Sequence, residues 1–332
     1  MKVVIEGQSS QESPVVSGVP QGTVLGPLLF LCHINDLPDS ANSTVRLVAD
    51  DCLLYRVIKD RKDHITLQND LNSVQDWASK WGMRFNAKKC NILSINAKSS
   101  HYYQLNNTIL QEVPSSPYLG VQLSNDLSFE QHINTVCSKA SSTLGFIRRN
   151  LHHTLSHLQQ TAYISLVRST LEYAATVWDP YLQKHIDKLE KVQRQAARFI
   201  AKDYHSRTPG CVSSMLSAYN LPTLQERRKA LRLTLFYKIS NNLVPAIPPD
   251  QYLTKAANKR RVRAKRFQDF NTTNIVERHQ LCNSQGYIVP QATKDTYKHS
   301  FFVKTSQEWN SLDDNIVSAP SVESFKARLT SV

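Results

Sequence analysis

Asp50 and Asp51 stand side by side between two apolar runs, VRLV before them and CLLY shortly after. Like charges about 4 Å apart repel by roughly 1 to 4 kcal/mol, depending on the local dielectric, and a cation relieves that repulsion. Hard divalent ions such as Mg²⁺ favour carboxylate oxygens, and two of them roughly 3.5 to 4 Å apart stabilise both the attacking and the leaving oxygen of a transfer at phosphorus. Two acids at a hairpin tip are also what a plain solvated turn contains. The pair by itself leaves both readings open.

A second chemical feature is the run KAANKRRVRAKR, which gathers Lys255, Lys259, Arg260, Arg261, Arg263, Lys265 and Arg266. Neutralising about six phosphates with such a run would give a log-log salt slope near minus five. A nuclear-localisation patch or a solvated linker has the same composition. No aromatic side chain is interleaved with these cations, so a base-stacking platform is not indicated. The formal net charge of +13 suits polyanionic partners without requiring them.

These residues need a folded frame. Hydrophobic residues make up 41% and charged residues 20% of 332, a globular balance that excludes a disordered chain and leaves room for two domains. Cys32, Cys52, Cys90, Cys137, Cys211 and Cys282 lie far apart, without the close Cys/His grouping of a zinc site, and read as buried free thiols in a reducing compartment. No window approaches the roughly 20 apolar residues that span a bilayer, and no signal peptide is evident, so an intracellular chain without a membrane partner is expected, nuclear or cytoplasmic.

VVIEG reads as a strand that meets Gly7, and a chain opening inside a strand suggests N-terminal truncation. A loop punctuated by Gly18, Pro20, Gly22, Gly26 and Pro27 leads to the apolar run Leu28 to Ile34, of helical length, closed by Pro38. VRLVADDCLLY is the pattern of a tight hairpin with Asp50 and Asp51 at its tip. Leu67, Leu71, Val74, Ala78 and Trp81 share one face of a helix. CNILSI is a strand, and YYQLNNTIL another with a turn at Asn106 and Asn107.

From Ser128, whose spacing to Gln131 suits a capping box, the pattern turns helical through Leu151, Leu158 to Trp178, and Ile186 to Phe199. Thr223 and Glu226 form a second capping-box pattern before a helix to about Ile239. GYIVPQAT and YKHSFFVKT read as a terminal strand pair, and VESFKARL as a final helix.

In order, SGVPQGTVLGPLLF, VADD at Val48 to Asp51, Asn86-x-x-Lys89 within WGMRFNAKKCNILSI, and Tyr118-Leu119-Gly120 resemble the motif series of reverse transcriptases from non-LTR (LINE-type) retrotransposons. LVRSTLEYAATVWDP and LEKVQRQAARFI resemble, more weakly, the helical region that follows the palm in these elements. The resemblance implies an α+β fold: a partial right-hand polymerase palm over residues 1–125, a mainly helical thumb-like region over 126–242, and a basic linker with a small C-terminal region over 243–332. It implies RNA-directed DNA polymerase chemistry by two-metal nucleotidyl transfer, with Mg²⁺ or Mn²⁺, deoxynucleoside triphosphates, an RNA template and a DNA primer.

By the same resemblance, Asp50 is the main metal ligand and Asp51 the supporting carboxylate, Lys89 lies near the leaving pyrophosphate, Pro20, Gln21 and Gly22 contact the incoming nucleotide or template, and Gly120 belongs to the primer grip. The basic run meets nucleic-acid phosphates. The family usually has an aromatic residue where this chain has Val48. It also places a further aspartate on an earlier palm strand, and no residue here matches it, so a fragment inactive by itself is expected. The other reading is a non-catalytic nucleic-acid-binding remnant.

Overall fold

The computed structural model describes residues 2–14, 18–19, 22–96, 101–256 and 283–330. It divides into two compact units, Met1–Ser116 and Pro117–Val332. The described residues mix helices with five small two-stranded sheets, an α+β composition.

In the first unit, β1 (Val4–Ile5) and β2 (Gln8–Ser9) pair around a turn in which Glu6 and Gly7 both have positive φ. Helix α1 (Leu25–Ile34) ends well before Pro38, which starts a separate turn of 3₁₀ helix. Apolar almost all round, α1 nevertheless exposes Leu25, Leu28, Leu29 and Leu31. Strands β3 (Thr44–Val48) and β4 (Asp51–Tyr55) form an antiparallel hairpin in the register Val48↔Asp51 and Val45↔Leu54.

Helix α2 (Arg61–Lys80) is started by a reciprocal capping box between Asp60 and Asp63. Its apolar stripe then serves two small cores. Val74 and Trp77 pack with Val45, Leu47, Leu54 and Leu37 of the hairpin side. Leu67 and Leu71 pack with Tyr103, Leu105, Leu110 and Cys90. β5 (Asn91–Ile92) runs parallel to β8 (Gln111–Glu112), and β6 (Gln104–Leu105) with β7 (Thr108–Ile109) closes a hairpin. Asn106 and Asn107 both have positive φ in that two-residue loop, which asparagine tolerates better than most residues.

Strand β9 (Ser115–Tyr118), which runs across the boundary at Pro117, forms a hairpin with β10 (Val121–Ser124) at the start of the second unit. Long helices follow: α3 (Glu130–Asn150), α4 (Ser156–Ala162), a π-helical turn over Tyr163–Arg168, α5 (Ser169–Glu172), α6 (Ala175–Trp178) and α7 (Gln183–Ala201). Their facing stripes, among them Ile133, Ala140, Leu144, Tyr163, Trp178, Leu189 and Phe199, make one core. After α8 (Cys211–Ala218), α9 (Leu224–Ser240) turns Phe236 and Tyr237 into another core, shared with Leu253 just after α10 (Pro249–Tyr252) and, beyond α11 (Asp295–Lys298), with α12 (Phe301–Asn310), α13 (Asp314–Val317) and α14 (Val322–Thr330).

The Thr223–Glu226 capping box is formed in both directions, at 3.1 and 2.9 Å. The one expected at Ser128 and Gln131 is not: Phe129, at φ +54, takes the N-cap position without a side-chain bond, and Ser128 only accepts a 3.5 Å contact from the Glu130 amide. The expected C-terminal strand pair is corrected as well. Tyr297 to Thr305 lie in α11 and α12, because Val303, Ser306, Trp309 and Asn310 recur at helical spacing and bury together, which outweighs the strand preference of an aromatic-rich stretch. Cys32, Cys52, Cys90, Cys137 and Cys211 are free thiols as expected, but only Cys137 is buried, and Cys282 lies outside the described residues. No described helix is long and apolar enough to cross a membrane.

Candidate active site

The β3–β4 hairpin turns in two residues, Ala49 and Asp50, and Asp51 begins the returning strand. Ala49 adopts φ +52, a left-handed conformation that costs a residue with a Cβ about 1–2 kcal/mol, and this strained corner sets Asp50 at the tip. Alternation along the strands puts Asp51 on the face of its partner Val48, with the Arg46–Leu53 pair next on that face. Val45, Leu47 and Leu54 point the opposite way, into the small core on α2. Both carboxylates are exposed, as is Val48. The hairpin therefore presents two adjacent acids to solvent from a base held by burial.

That base has an anchor absent from the sequence reading. Asp70 on α2 is 1% exposed, and its carboxylate accepts from the Asn42 amide at 2.9 Å, the Asn42 side chain at 3.3 Å, the Ser43 amide at 2.8 Å and the Ser43 hydroxyl. Asn42 and Ser43 immediately precede β3. Burial pushes the Asp70 carboxyl up, but these four hydrogen bonds outweigh it and hold its pKa below the ordinary carboxylate value. The available signal was its register: Asp70 falls between Leu67, Leu71 and Val74 on the apolar stripe, where an acid needs partners.

Lys89 closes a short 3₁₀ turn, Ala87–Lys89, and is exposed. Its amide donates to the Asn86 carbonyl at 2.9 Å, and the Cys90 thiol donates to the same carbonyl at 3.3 Å. Ala87 and Cys90 pack against the Leu67 and Leu71 stripe, so α2 supports this turn as it supports the hairpin. The neighbours of the expected site residues also interact. Cys52 follows Asp51 and, although its residue surface stays open, desolvation of the thiol and then the nearby Cys90 sulfur push its pKa up to about 11. Adjacent stretches of α2 thus support both the hairpin and the Lys89 turn.

Gly22, at φ +80, lies in the turn before α1, where an added Cβ would meet nothing within 4 Å, whereas Pro20 and Gln21 lie outside the described residues. Lys259, Arg260, Arg261, Arg263, Lys265 and Arg266 lie outside them too. Gly120 belongs to the second unit. With Leu119 it forms the β9–β10 turn, both at positive φ, and a Cβ on Gly120 would meet the Tyr173 ring at 3.1 Å. Tyr173 donates its hydroxyl proton to the Leu119 carbonyl at 3.0 Å, clamping the turn. Among the described residues, no three His, Cys, Asp or Glu side chains gather as a metal site. Asp50 and Asp51 offer two hard oxygen donors with open surface around them. That fits Mg²⁺, which commonly binds through one or two carboxylates and keeps several waters.

The family of reverse transcriptases (RNA-dependent DNA polymerases) matches residues 1–123. The RNA-directed DNA polymerase from mobile element jockey of Drosophila melanogaster is 28% identical over 214 residues, 60% of this chain and 23% of that protein. The probable RNA-directed DNA polymerase from transposon X-element of the same species is 26% identical over 206 residues, 58% of this chain and 22% of the relative. The corresponding protein from its transposon BS is 25% identical over 256 residues, 70% and 28% of the two chains. The chain spans about a quarter of the length of these curated relatives. No solved structure matches it. Residues 1–123 carry a reverse transcriptase domain, and the chain is related over about 60% of its length to the RNA-directed DNA polymerases of non-LTR retrotransposons.

Proposed function

We propose that this chain contributes to RNA-directed DNA synthesis, extending a DNA 3′ end on an RNA template with deoxynucleoside triphosphates. The observation that carries the reading is the pair Asp50 and Asp51, adjacent and exposed at a two-residue turn whose base is buried against α2. In this reading Asp50 and Asp51 hold Mg²⁺ or Mn²⁺. Such an ion, when bound, neutralises charge developing on phosphate oxygens. Lys89 offsets charge near the leaving pyrophosphate, a role that suits an exposed ammonium on a turn supported by the same helix.

Pro20, Gln21 and Gly22 contact the nucleotide or template, Gly120 shapes the primer grip, and Lys259, Arg260, Arg261, Arg263, Lys265 and Arg266 meet phosphates. The palm-like part then covers residues 1–125, the thumb-like part 126–242 and the C-terminal region 243–332. Two carboxylates are one short of the set the family uses, so extension by this chain alone is expected to be weak or absent.

Titration of Mn²⁺ followed by electron paramagnetic resonance tests the carrying observation. The chain is expected to bind Mn²⁺ at a site lost in Asp50→Ala, and any primer extension is expected to vanish in the same variant. Equal Mn²⁺ binding by the two proteins, or extension that survives Asp50→Ala, overturns the reading. The net charge of +13 favours a second one, nucleic-acid binding without catalysis. Affinity for RNA that falls steeply with salt and needs no Mg²⁺ distinguishes it.

A further inference from the structure

Strained backbone on two separate elements of the second unit meets at one side chain, Tyr173. The β9–β10 hairpin turns through Leu119 at φ +47 and Gly120 at φ +78. Glycine adopts such a conformation freely, but a residue with a Cβ does so at a cost, and leucine is not among the residues that favour two-residue hairpin loops. Ala174, at φ +50, breaks the helical path between α5 and α6 just after Tyr173, again at a cost. Upstream on that path, Tyr163–Arg168 form a π-helical turn, a rare geometry that concentrates at functional sites. Strain of this kind persists only where the surrounding structure over-determines it.

The surroundings grip the Tyr173 backbone from both sides of the break. Leu171 and Ala175 are buried, the Tyr173 amide donates to the Ser169 carbonyl at 3.0 Å, and the Tyr173 carbonyl accepts from Nε1 of the buried Trp178 at 2.8 Å. The side chain, by contrast, is 57% exposed and adds little to the core. What it does is hold the turn. Its hydroxyl donates to the Leu119 carbonyl at 3.0 Å, and its ring sits so close that a Cβ on Gly120 would meet Cε1 at 3.1 Å.

A peptide group is planar and trans, so its C=O and N–H point in opposite directions. The carbonyl of Leu119 and the N–H of Gly120 belong to one such group. Tying that carbonyl to Tyr173 therefore aims the Gly120 N–H away from the ring, and the missing Cβ of Gly120 lets the ring close on the turn. Backbone N–H groups are regular donors to nucleic-acid phosphate oxygens, and contacts of that kind fix register and orientation rather than read sequence.

We infer that Tyr173 is a positioning residue for the primer end: by holding the Leu119–Gly120 peptide, it presents the Gly120 N–H to a phosphate oxygen near the DNA 3′ terminus. The inference rests on the reading of Gly120 as part of the primer grip. To that reading it adds a residue 54 positions beyond Leu119, carried by the helical region rather than by the hairpin.

Photo-crosslinking on the full chain tests it, with a short RNA–DNA hybrid whose recessed DNA 3′ end carries thiothymidine and with mass spectrometry to locate the adducts. The wild-type chain is expected to crosslink within residues 118–121. Tyr173→Phe keeps the ring and removes the donor. It is expected to lower the adduct yield per bound hybrid about fivefold, the equivalent of one neutral hydrogen bond, while the circular dichroism and the affinity for a blunt hybrid stay unchanged. Replacing Tyr173 by para-aminophenylalanine restores an N–H donor on the same ring and is expected to recover the yield, which a general loss of structure does not allow. Wild-type yield in Tyr173→Phe, or a loss that the amino-substituted ring does not recover, overturns the inference and leaves the primer-grip reading standing. No adduct within 118–121 in the wild-type chain overturns both.

Discussion

Asp70→Ala removes the anchor below the hairpin that carries Asp50 and Asp51. The substitution deletes an acceptor for four donors, of which the Ser43 amide and hydroxyl belong to a residue only 7% exposed. Leaving a buried donor unmet costs about 1–3 kcal/mol, and bonds to a charged acceptor sit at the upper end. With Asn42 partly reached by water, the expected loss is about 3–5 kcal/mol, against a total stability of about 5–15 kcal/mol for a typical domain. Asp70→Asn keeps one acceptor oxygen and is expected to lose about half as much.

Urea denaturation monitored by circular dichroism measures the difference. The sign of the pH dependence is a second readout. The folded pKa of Asp70 lies below its unfolded value, so its contribution is present above about pH 3.9 and is lost as pH falls through the folded pKa. Asp70→Asn is expected to lack that acid-limb slope. A loss below about 0.5 kcal/mol in Asp70→Ala, the range of ordinary surface substitutions, would refute the anchoring argument.

Further outcomes follow from the same geometry. Ala49→Gly relieves a left-handed residue at the hairpin corner and is expected to raise the unfolding free energy by about 0.5–1 kcal/mol, seen as a higher urea midpoint at unchanged slope. Gly120→Ala puts a methyl 3.1 Å from the Tyr173 ring at φ +78, and the expected cost by the same assay is about 1–3 kcal/mol. Asp179→Ala strands Arg228, Arg232 and Lys304 without their shared acid, and the expected loss is about 3–5 kcal/mol in the helical signal's transition.

His132, His185 and His299 all have pKa values lowered by burial, so the folded second unit binds fewer protons than the unfolded chain. Its urea midpoint is expected to fall as pH drops below about 6.5, with a shallower dependence in His132→Gln.

Much of the candidate site was legible along the chain. Two acids between apolar alternations specified a hairpin tip, two adjacent asparagines specified a turn, and the spacing from Ile133 to Ile147 specified a buried helical stripe, because each signal acts over a few residues. Thr223 and Glu226 likewise needed only each other. The capping reading at Ser128 failed because Phe129 enters the core's edge and takes the cap position at a conformation its own side chain does not favour. The C-terminal strands failed because aromatics suit either element, and the core formed with α9 selects the helix.

The order of motifs, the carboxylate pair and the helix periodicities are properties of local covalent order, and the sequence by itself determined them. Only the tertiary structure decided that Asp70 meets Asn42 across 28 positions, that Asp179 meets Lys304 across 125, and that Tyr173 meets Leu119 across 54. A buried charge or an orphan amide has no preferred partner in sequence. It is satisfied by whichever group the packing of apolar faces brings within about 3 Å.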